Sequence, residues 1–159
     1  MNGFTIRPAS TSDLPALGRL GAALMHVHYA FDPQRFMKPD ADAEAGYAWF
    51  LGTQLERPDV VILIAERAGD LLGYVYAGIE PRNWKALRDE AGFIHDLHVD
   101  ERGRRIGVAT ALIEAGIAWL TEQGAPRVVL WSADQNAAAQ KIFSRLGFRP
   151  TMIEMTREL

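Results

Sequence analysis

The sequence contains no cysteine among its 159 residues. This absence excludes disulfide bonds, thiolate metal ligands and a cysteine nucleophile. It also lacks an apolar run of about 20 residues, the length that a membrane-spanning helix needs. The N-terminal stretch MNGFTIRPAS shows no basic segment followed by an apolar one. We therefore expect a cytoplasmic protein with no export signal and no membrane partner.

An excess of positive charge is lacking as well, because 20 Asp and Glu residues outnumber 17 Lys and Arg residues and give a net charge of -3. Nucleic-acid binding relies on clustered Lys and Arg, so we expect no nucleic-acid partner. The Gly-x-Gly-x-x-Gly and Gly-x-x-x-x-Gly-Lys-Ser/Thr motifs of nucleotide-binding enzymes are also missing. Only four histidines are present, and His26 and His28 would point about 200° apart on a helix. We expect no metal site.

The length and the 48% content of hydrophobic residues predict a single domain, residues 1–159, with a core of its own. Apolar periodicity, capping residues and turn residues predict a mixed α/β order of elements. The predicted strands are 4–7, 60–66, 71–79, 93–99, 127–132 and 148–158. The Gly-containing turn Arg67–Asp70 predicts an antiparallel hairpin between the second and third of them. The first predicted helix begins after the capping residues Ser10–Asp13, and the others cover 43–55, 107–121 and 136–146.

Three details of this prediction concern packing. The continuous apolar run in 127–132 is typical of an interior strand. Alternation along 93–99 puts Asp96 and His98 on one face of the strand and His95 on the other. The predicted buried stripe of helix 107–121 consists of Val108, Ala111, Leu112, Ala115 and Trp119.

The segment from His98 to Thr110 carries the clearest chemical signal, because a strand leads through a basic, glycine-containing turn into a helix. The N–H groups at a helix start have no partner within the helix, and the helix dipole adds positive charge, so a diphosphate can bind there. From the residues alone, an ordinary loop with solvated arginines explains the pattern equally well.

A resemblance favours the first reading. Arg104-x-x-Gly107-x-Ala109 resembles the pyrophosphate-binding signature of the GNAT acyltransferases, although Arg105 stands where many relatives have Gly. A second segment, from Asn136 to Phe148, is similar to the family's Asn-x-x-Ala…Tyr-x-x-x-Gly-Phe marker.

The resemblance implies a GNAT fold, with a central, mostly antiparallel sheet of six or seven strands flanked by about four helices. It also implies acetyl-CoA as cosubstrate. The residues that it assigns to coenzyme A binding are Leu97, His98, Val99, Arg104, Arg105, Ile106, Gly107, Val108, Ala109, Thr110, Asn136, Ala139 and Phe143.

The implied reaction is transfer of an acetyl group from acetyl-CoA to a primary amine, directly and within a ternary complex. An alkylammonium must lose a proton before it can attack, and Asp96 and His98 are the candidate bases. Phe143 stands where the family usually has its Tyr general acid, so that role cannot be carried over. A catalytically silent acyl-CoA sensor or interaction module is the alternative function.

The acceptor is expected to be a small-molecule or peptide amine, bound by the variable region 26–49 and the loop around Trp84. Four acidic residues make that region favourable for a cation, although solvated surface acids are the commoner explanation. These residues are Asp32, Asp40, Asp42 and Glu44. A homodimer is a further expectation, since many relatives dimerise.

Overall fold

The computed structural model describes residues 3–159, and in this range it has five strands, four α-helices and two short 3-10 turns. The strands are β1 (Thr5–Pro8), β2 (Val60–Arg67), β3 (Asp70–Glu80), β4 (Ala91–Val99) and β5 (Val128–Leu130). The α-helices are α1 (Leu14–Phe31), α2 (Ala43–Leu55), α3 (Val108–Glu122) and α4 (Ala137–Arg145). The predicted mixed α/β fold is confirmed.

One sheet of order β1-β2-β3-β4-β5 runs through the molecule, antiparallel except for the parallel pair β4–β5. The predicted hairpin between β2 and β3 turns at Ala68 and Gly69, which both have positive φ, 52° and 85°. Two successive positive φ angles match the twist of a two-residue hairpin. The crossover from β4 to β5 is α3, as a parallel pair requires.

Each face of the sheet covers one apolar cluster. The first cluster lies against α3 and α4 and includes Val75, Ile94 and Leu112. The second lies against α1 and α2 and includes Leu17, Leu51, Tyr74 and Tyr76. We call these sides the α3 face and the α1 face.

The register of β3 and β4 contains a bulge. Tyr76 pairs with Asp96, but Ala77 pairs with Ile94, so His95 is an extra residue in β4 without a partner on β3. Residues opposite each other in an antiparallel pair share a face. Asp96 therefore lies on the α1 face with Tyr76, and Ile94 on the α3 face with Ala77.

The C-terminal segment differs from the prediction. Residues 149–159 are exposed and form no strand, so the described sheet has five strands where six or seven were expected. The predicted strand 148–158 is therefore wrong for the isolated chain. Its apolar side chains Met152, Ile153 and Met155 are each more than 80% exposed.

Two packing predictions also need correction. Without a following strand, β5 lies at the edge of the sheet and is half-buried rather than interior. In α3 the deepest side chains lie around a stripe turned slightly from the predicted one, because the helix contacts β3 as well as β4. The buried residues of α3 are Val108, Leu112, Ile113, Gly116 and Leu120.

Candidate active site

The start of α3 presents a group of unpaired backbone amides. The N–H of Arg104 donates to the Glu101 carbonyl. Within the described residues, however, no carbonyl or side chain accepts from the next six N–H groups, 105–110. Gly107 precedes the helix in the left-handed conformation, with φ of 88°, which glycine adopts at little cost. A row of free N–H groups at the positive end of a helix is a suitable site for an anion.

The arginines of this turn differ in their surroundings. Arg102 is engaged, because its guanidinium donates to Asp100 and Asp70. Arg104 and Arg105 are exposed, and no carboxylate of residues 3–159 forms an ion pair with either. Arg105 has φ of 63°, so this non-glycine residue holds the conformation for which many relatives use Gly. The turn therefore offers two uncompensated positive charges next to the free amides.

The other predicted contacts of the turn and helix lie at the same place. Ile106 is partly exposed, while the Val108 side chain is fully buried in the core. Ala109 and Thr110 are half-buried. At Val108 only the backbone is therefore available to a ligand, which agrees with recognition through N–H groups.

Part of the β4 edge next to this turn has no strand partner. β5 pairs with β4 only from Gly92 to Ile94, while β4 continues to Val99. The β4 edge of residues 95–99, including Leu97, His98 and Val99, thus has no strand beside it in the described chain. Exposed strand edges pair with extended ligands through main-chain hydrogen bonds.

Asp96 is held by two tyrosines. Its Oδ2 accepts hydrogen bonds from the Tyr47 hydroxyl at 2.5 Å and from the Tyr74 hydroxyl at 2.9 Å. Burial raises the pKa of Asp96, and the two hydrogen bonds act in the opposite direction. Gly21 of α1 makes room for this arrangement, since a side chain there would overlap the Tyr47 ring. The carboxylate is thus already engaged within the protein.

His98 shares the α1 face with Asp96, as the alternation predicted. It lines a crevice of about 260 Å³ together with Arg19 of α1 and Asp100. Burial, together with the charge of Arg104, lowers the pKa of His98 to about 4. The imidazole is therefore neutral at physiological pH.

His95 was expected on the opposite face, and this prediction is wrong because the bulge reverses its direction. Its ring centroid lies 4.7 Å from that of Tyr76 and 4.9 Å from that of Phe93. Its Nε2 lies 3.0 Å from Glu80 Oε1. His95 and Glu80 are thus site residues that sequence reasoning missed, since neither alternation nor composition signals a bulge.

The second marker forms the start and the body of α4. Asn136 caps the helix by accepting from the Ala139 N–H at 3.2 Å, and Ala139 packs against the core. Phe143 is buried, and its ring centroid lies 6.0 Å from that of Phe148. As a phenylalanine it has no hydroxyl group to act as an acid, and its ring contributes to the packing of the core.

The remaining tyrosines and histidines give no alternative centre. Tyr76 donates its hydroxyl hydrogen to Gln54, and His28 Nδ1 lies 2.9 Å from the Leu24 carbonyl oxygen. Within residues 3–159, no three His, Asp or Glu side chains are grouped closely enough to hold a metal ion. No helix in this range has the length and apolarity to cross a membrane.

Comparison with known proteins assigns the chain to one family. The model of the acetyltransferase (GNAT) family matches residues 22–148, which include β4, the basic turn, α3 and α4. The chain belongs to this family. The resemblance inferred from the two sequence markers is thus confirmed.

Curated relatives include the mycothiol acetyltransferase of Cellulomonas flavigena, which is 29% identical over 132 residues. That alignment covers 80% of this chain and 36% of the relative, so the chain spans about a third of the length of that protein.

Among solved structures, an aminoglycoside 6'-N-acetyltransferase from Acinetobacter haemolyticus superposes with a TM-score of 0.73 at 20% identity, covering 98% of this chain and 99% of that one. A predicted acetyltransferase with acetyl-CoA from Clostridium acetobutylicum gives 0.74 at 15% identity, with 96% of each chain covered. At these identities the likeness establishes the GNAT fold.

Proposed function

We propose that the protein is an acetyl-CoA-dependent N-acetyltransferase of the cytoplasm that acetylates a primary amine by direct transfer. The observation that carries this proposal is the row of unpaired N–H groups at 105–110, opening beside two unpaired arginines. These groups fit a pyrophosphate. The open β4 edge from Val99 back to His95 fits an extended pantetheine arm.

The reaction requires few groups from the protein. The amine lone pair attacks the thioester carbonyl carbon, the C–S bond breaks, and coenzyme A leaves as a thiolate that takes up a proton. A free thiol has a pKa of about 8.5, so its departure needs little help from an acid. The alkylammonium, with a pKa of about 10.4, must first lose a proton, which makes a base the more important group. A β4 amide near Leu97 would stabilise the oxyanion.

Of the two bases considered from the sequence, the geometry suits neither well. Asp96 already accepts two tyrosine hydrogen bonds. His98, with its pKa near 4, is a weak base that faces the crevice beside α1. We retain both as candidates that the pH profiles of Asp96→Asn and His98→Gln will test.

Calorimetry with coenzyme A tests the donor site directly. Gly107→Glu introduces a carboxylate among the amides and a side chain at a positive φ, and we expect it to abolish detectable binding. Gly124→Glu is the matched control, because Gly124 has a similar φ of 82° at the other end of α3. No binding to the unaltered protein, or equal binding to both variants, would refute the proposal.

For the acceptor we propose a small cationic amine. Glu80 supplies a carboxylate beside β4, and the exposed Trp131 ring lies 5.3 Å from that of Phe93. Aromatic faces attract cations. Asp32 and Asp40, by contrast, accept hydrogen bonds from the backbone of their own turns. The small-molecule acetyltransferases among the relatives agree with this substrate class.

A silent acyl-CoA sensor is the second candidate, and the packed Phe143 is the observation that favours it. Thiol release from acetyl-CoA over a panel of amines separates the two functions. The assay has no background from the protein, since the chain has no cysteine. Tight binding of acetyl-CoA without turnover of any amine would support the sensor.

We also propose a homodimer formed through the C-terminal segment. The outer edge of β5 has no strand neighbour in the described chain, and residues 149–159 expose Met152, Ile153 and Met155. A second copy that pairs this segment with a free edge would bury both features. Light scattering after size exclusion should give a dimer for the full chain and a monomer for residues 1–148. A monomer in both cases would exclude it.

A further inference from the structure

The His95 side chain makes three defined contacts on the α1 face. It lies between the rings of Tyr76 and Phe93, with centroid distances of 4.7 and 4.9 Å. One nitrogen, Nε2, is 3.0 Å from Glu80 Oε1, and 26% of the side chain remains exposed. The imidazole is thus oriented on three sides and accessible on the fourth.

The contact with Glu80 determines which nitrogen can act. A carboxylate near Nε2 favours the tautomer that carries its hydrogen there. The lone pair then resides on Nδ1, which is the nitrogen left for a ligand. A base held in position by a carboxylate on its other nitrogen is a recurrent arrangement in proton-transferring enzymes.

The position of His95 along β4 links it to the donor site. The β5 pairing ends opposite Ile94, so His95 is the first residue of the open edge. From Val99, where the basic turn begins, a ligand that follows this edge passes Leu97 and reaches the bulge after about 13 Å, at roughly 3.3 Å per residue. The reactive end of such a ligand would lie beside His95.

We propose that His95, oriented by Glu80, is the base that takes the proton from the acceptor amine. This inference rests on the proposed acetyl transfer. The ammonium N–H proton moves to Nδ1, directly or through one water, and leaves the amine lone pair to attack the thioester carbon. The Glu80 carboxylate stabilises the imidazolium, which later returns its proton to solvent.

The surroundings of His95 are consistent with this role. Burial is the largest effect and lowers the pKa of His95 from its ordinary 6.5, while the carboxylates of Glu80 and Asp96 raise it and Arg57 lowers it further. The lowered pKa keeps the ring neutral, and thus basic, at physiological pH. Arg88 is a further charged group, placed 5.8 Å from the centre of the Phe93 ring.

Kinetics of His95→Gln provide the first test, with tyramine, spermidine and kanamycin as acceptors. We expect kcat to fall by about 100-fold or more, the usual contribution of a positioned base, while acetyl-CoA affinity by calorimetry stays within about twofold. Because the pKa of His95 is lowered from 6.5, we expect kcat/KM of the unaltered enzyme to rise with pH below that value, and this rise should disappear in His95→Gln. Glu122→Gln, at the exposed C-terminal end of α3, is the control.

The Glu80→Gln variant distinguishes a role of His95 as a base from a purely structural role of His95. Because Glu80 raises the pKa of His95, its loss should shift the acidic limb of the kcat/KM profile to lower pH without removing it. A packing role for His95 would leave the profile in place and change only its height.

Ring ¹⁵N chemical shifts give a readout that needs no acceptor. We expect His95 to be neutral at pH 7, with its hydrogen on Nε2, and to titrate at lower pH in Glu80→Gln. A charged His95 ring at pH 7, or undiminished kcat in His95→Gln, would overturn the proposal for His95 but not the proposed acetyl transfer. If the unaltered protein binds no acetyl-CoA or acetylates no amine, the proposed function fails first.

Discussion

The Tyr47 hydroxyl donates a hydrogen bond of 2.5 Å to the Asp96 carboxylate and thereby joins α2 to β4. Tyr74 donates to the same oxygen from the neighbouring strand. The pKa values of both phenols are raised, chiefly by burial, so both remain donors across the physiological range. Helix α2 is therefore tied to the sheet through the buried carboxyl group of Asp96.

Tyr47→Phe should destabilise the protein by about 1.5–3 kcal/mol, the usual cost of losing a hydrogen bond to a charged group. The effect should be smaller in an Asp96→Asn background, because a neutral amide oxygen is a weaker acceptor. Urea denaturation of the four proteins of this cycle measures the coupling. Tyr29→Phe on α1 is the control, and equal losses in both backgrounds would contradict the assignment.

Asp13 should make the stability of the fold depend on pH in the acidic range. Its hydrogen bonds from Arg7 lower its pKa from 3.8 to about 2. A carboxyl group whose pKa is lowered by folding stabilises the fold at pH values above its pKa in the unfolded chain. This stabilisation is lost as the pH falls toward the pKa in the folded protein. Asp13→Asn should therefore cost about 1–2 kcal/mol at pH 7 and little at pH 2. Asp89→Asn, from the exposed pair with Arg82, should change little at either pH.

Arg104→Gln should weaken coenzyme A binding several-fold at low salt. The guanidinium is exposed, so its attraction to a diphosphate is modest and is screened by ions. The difference from the unaltered protein should shrink as salt rises in calorimetry. Arg127→Gln, at the start of β5, should have no such effect, and a salt-independent loss for Arg104→Gln would point to a structural role.

Arg105→Gly should separate strain from charge. The left-handed conformation costs a non-glycine residue about 1–2 kcal/mol, while glycine costs about 0.5–1 kcal/mol through its unfolded-state freedom. We expect a small gain in stability and a loss of coenzyme A affinity. Arg105→Lys keeps both the charge and the φ of 63°, so it should retain the affinity and the stability. A destabilised Arg105→Gly variant would show that Arg105 makes contacts that outweigh its strain.

Much of the fold followed from local patterns. Helix α2 was predicted from Ala43 to Leu55 and lies there, and the hairpin at Ala68–Gly69 followed from its turn residues. The basic turn before α3 could be located because Gly107 and its arginines lie close together in the sequence. Such features depend on neighbouring residues, which periodicity and capping describe well.

The missed features depend on register and on strand partners. The bulge at His95 results from the pairing of two strands, and alternation within one strand cannot reveal it. Residues 148–158 have a strand-like pattern, but a strand also needs an adjacent strand to pair with, and the pattern of the segment does not show whether one is available. The Tyr47–Asp96 pair joins residues 49 positions apart, so only the folded chain brings it together.

The bulge also means that a single deletion would make β4 a regular strand. Removal of residue 95 would let Ile94 and Asp96 continue the pairing of Ala77 and Tyr76 without a break, and every later side chain would keep its face. A regular β4 would bend less, and its edge could approach the chain after Leu130. Deletion of His95 would thus remove the proposed base and lengthen the parallel pairing, and hydrogen exchange in residues 96–99 should become slower.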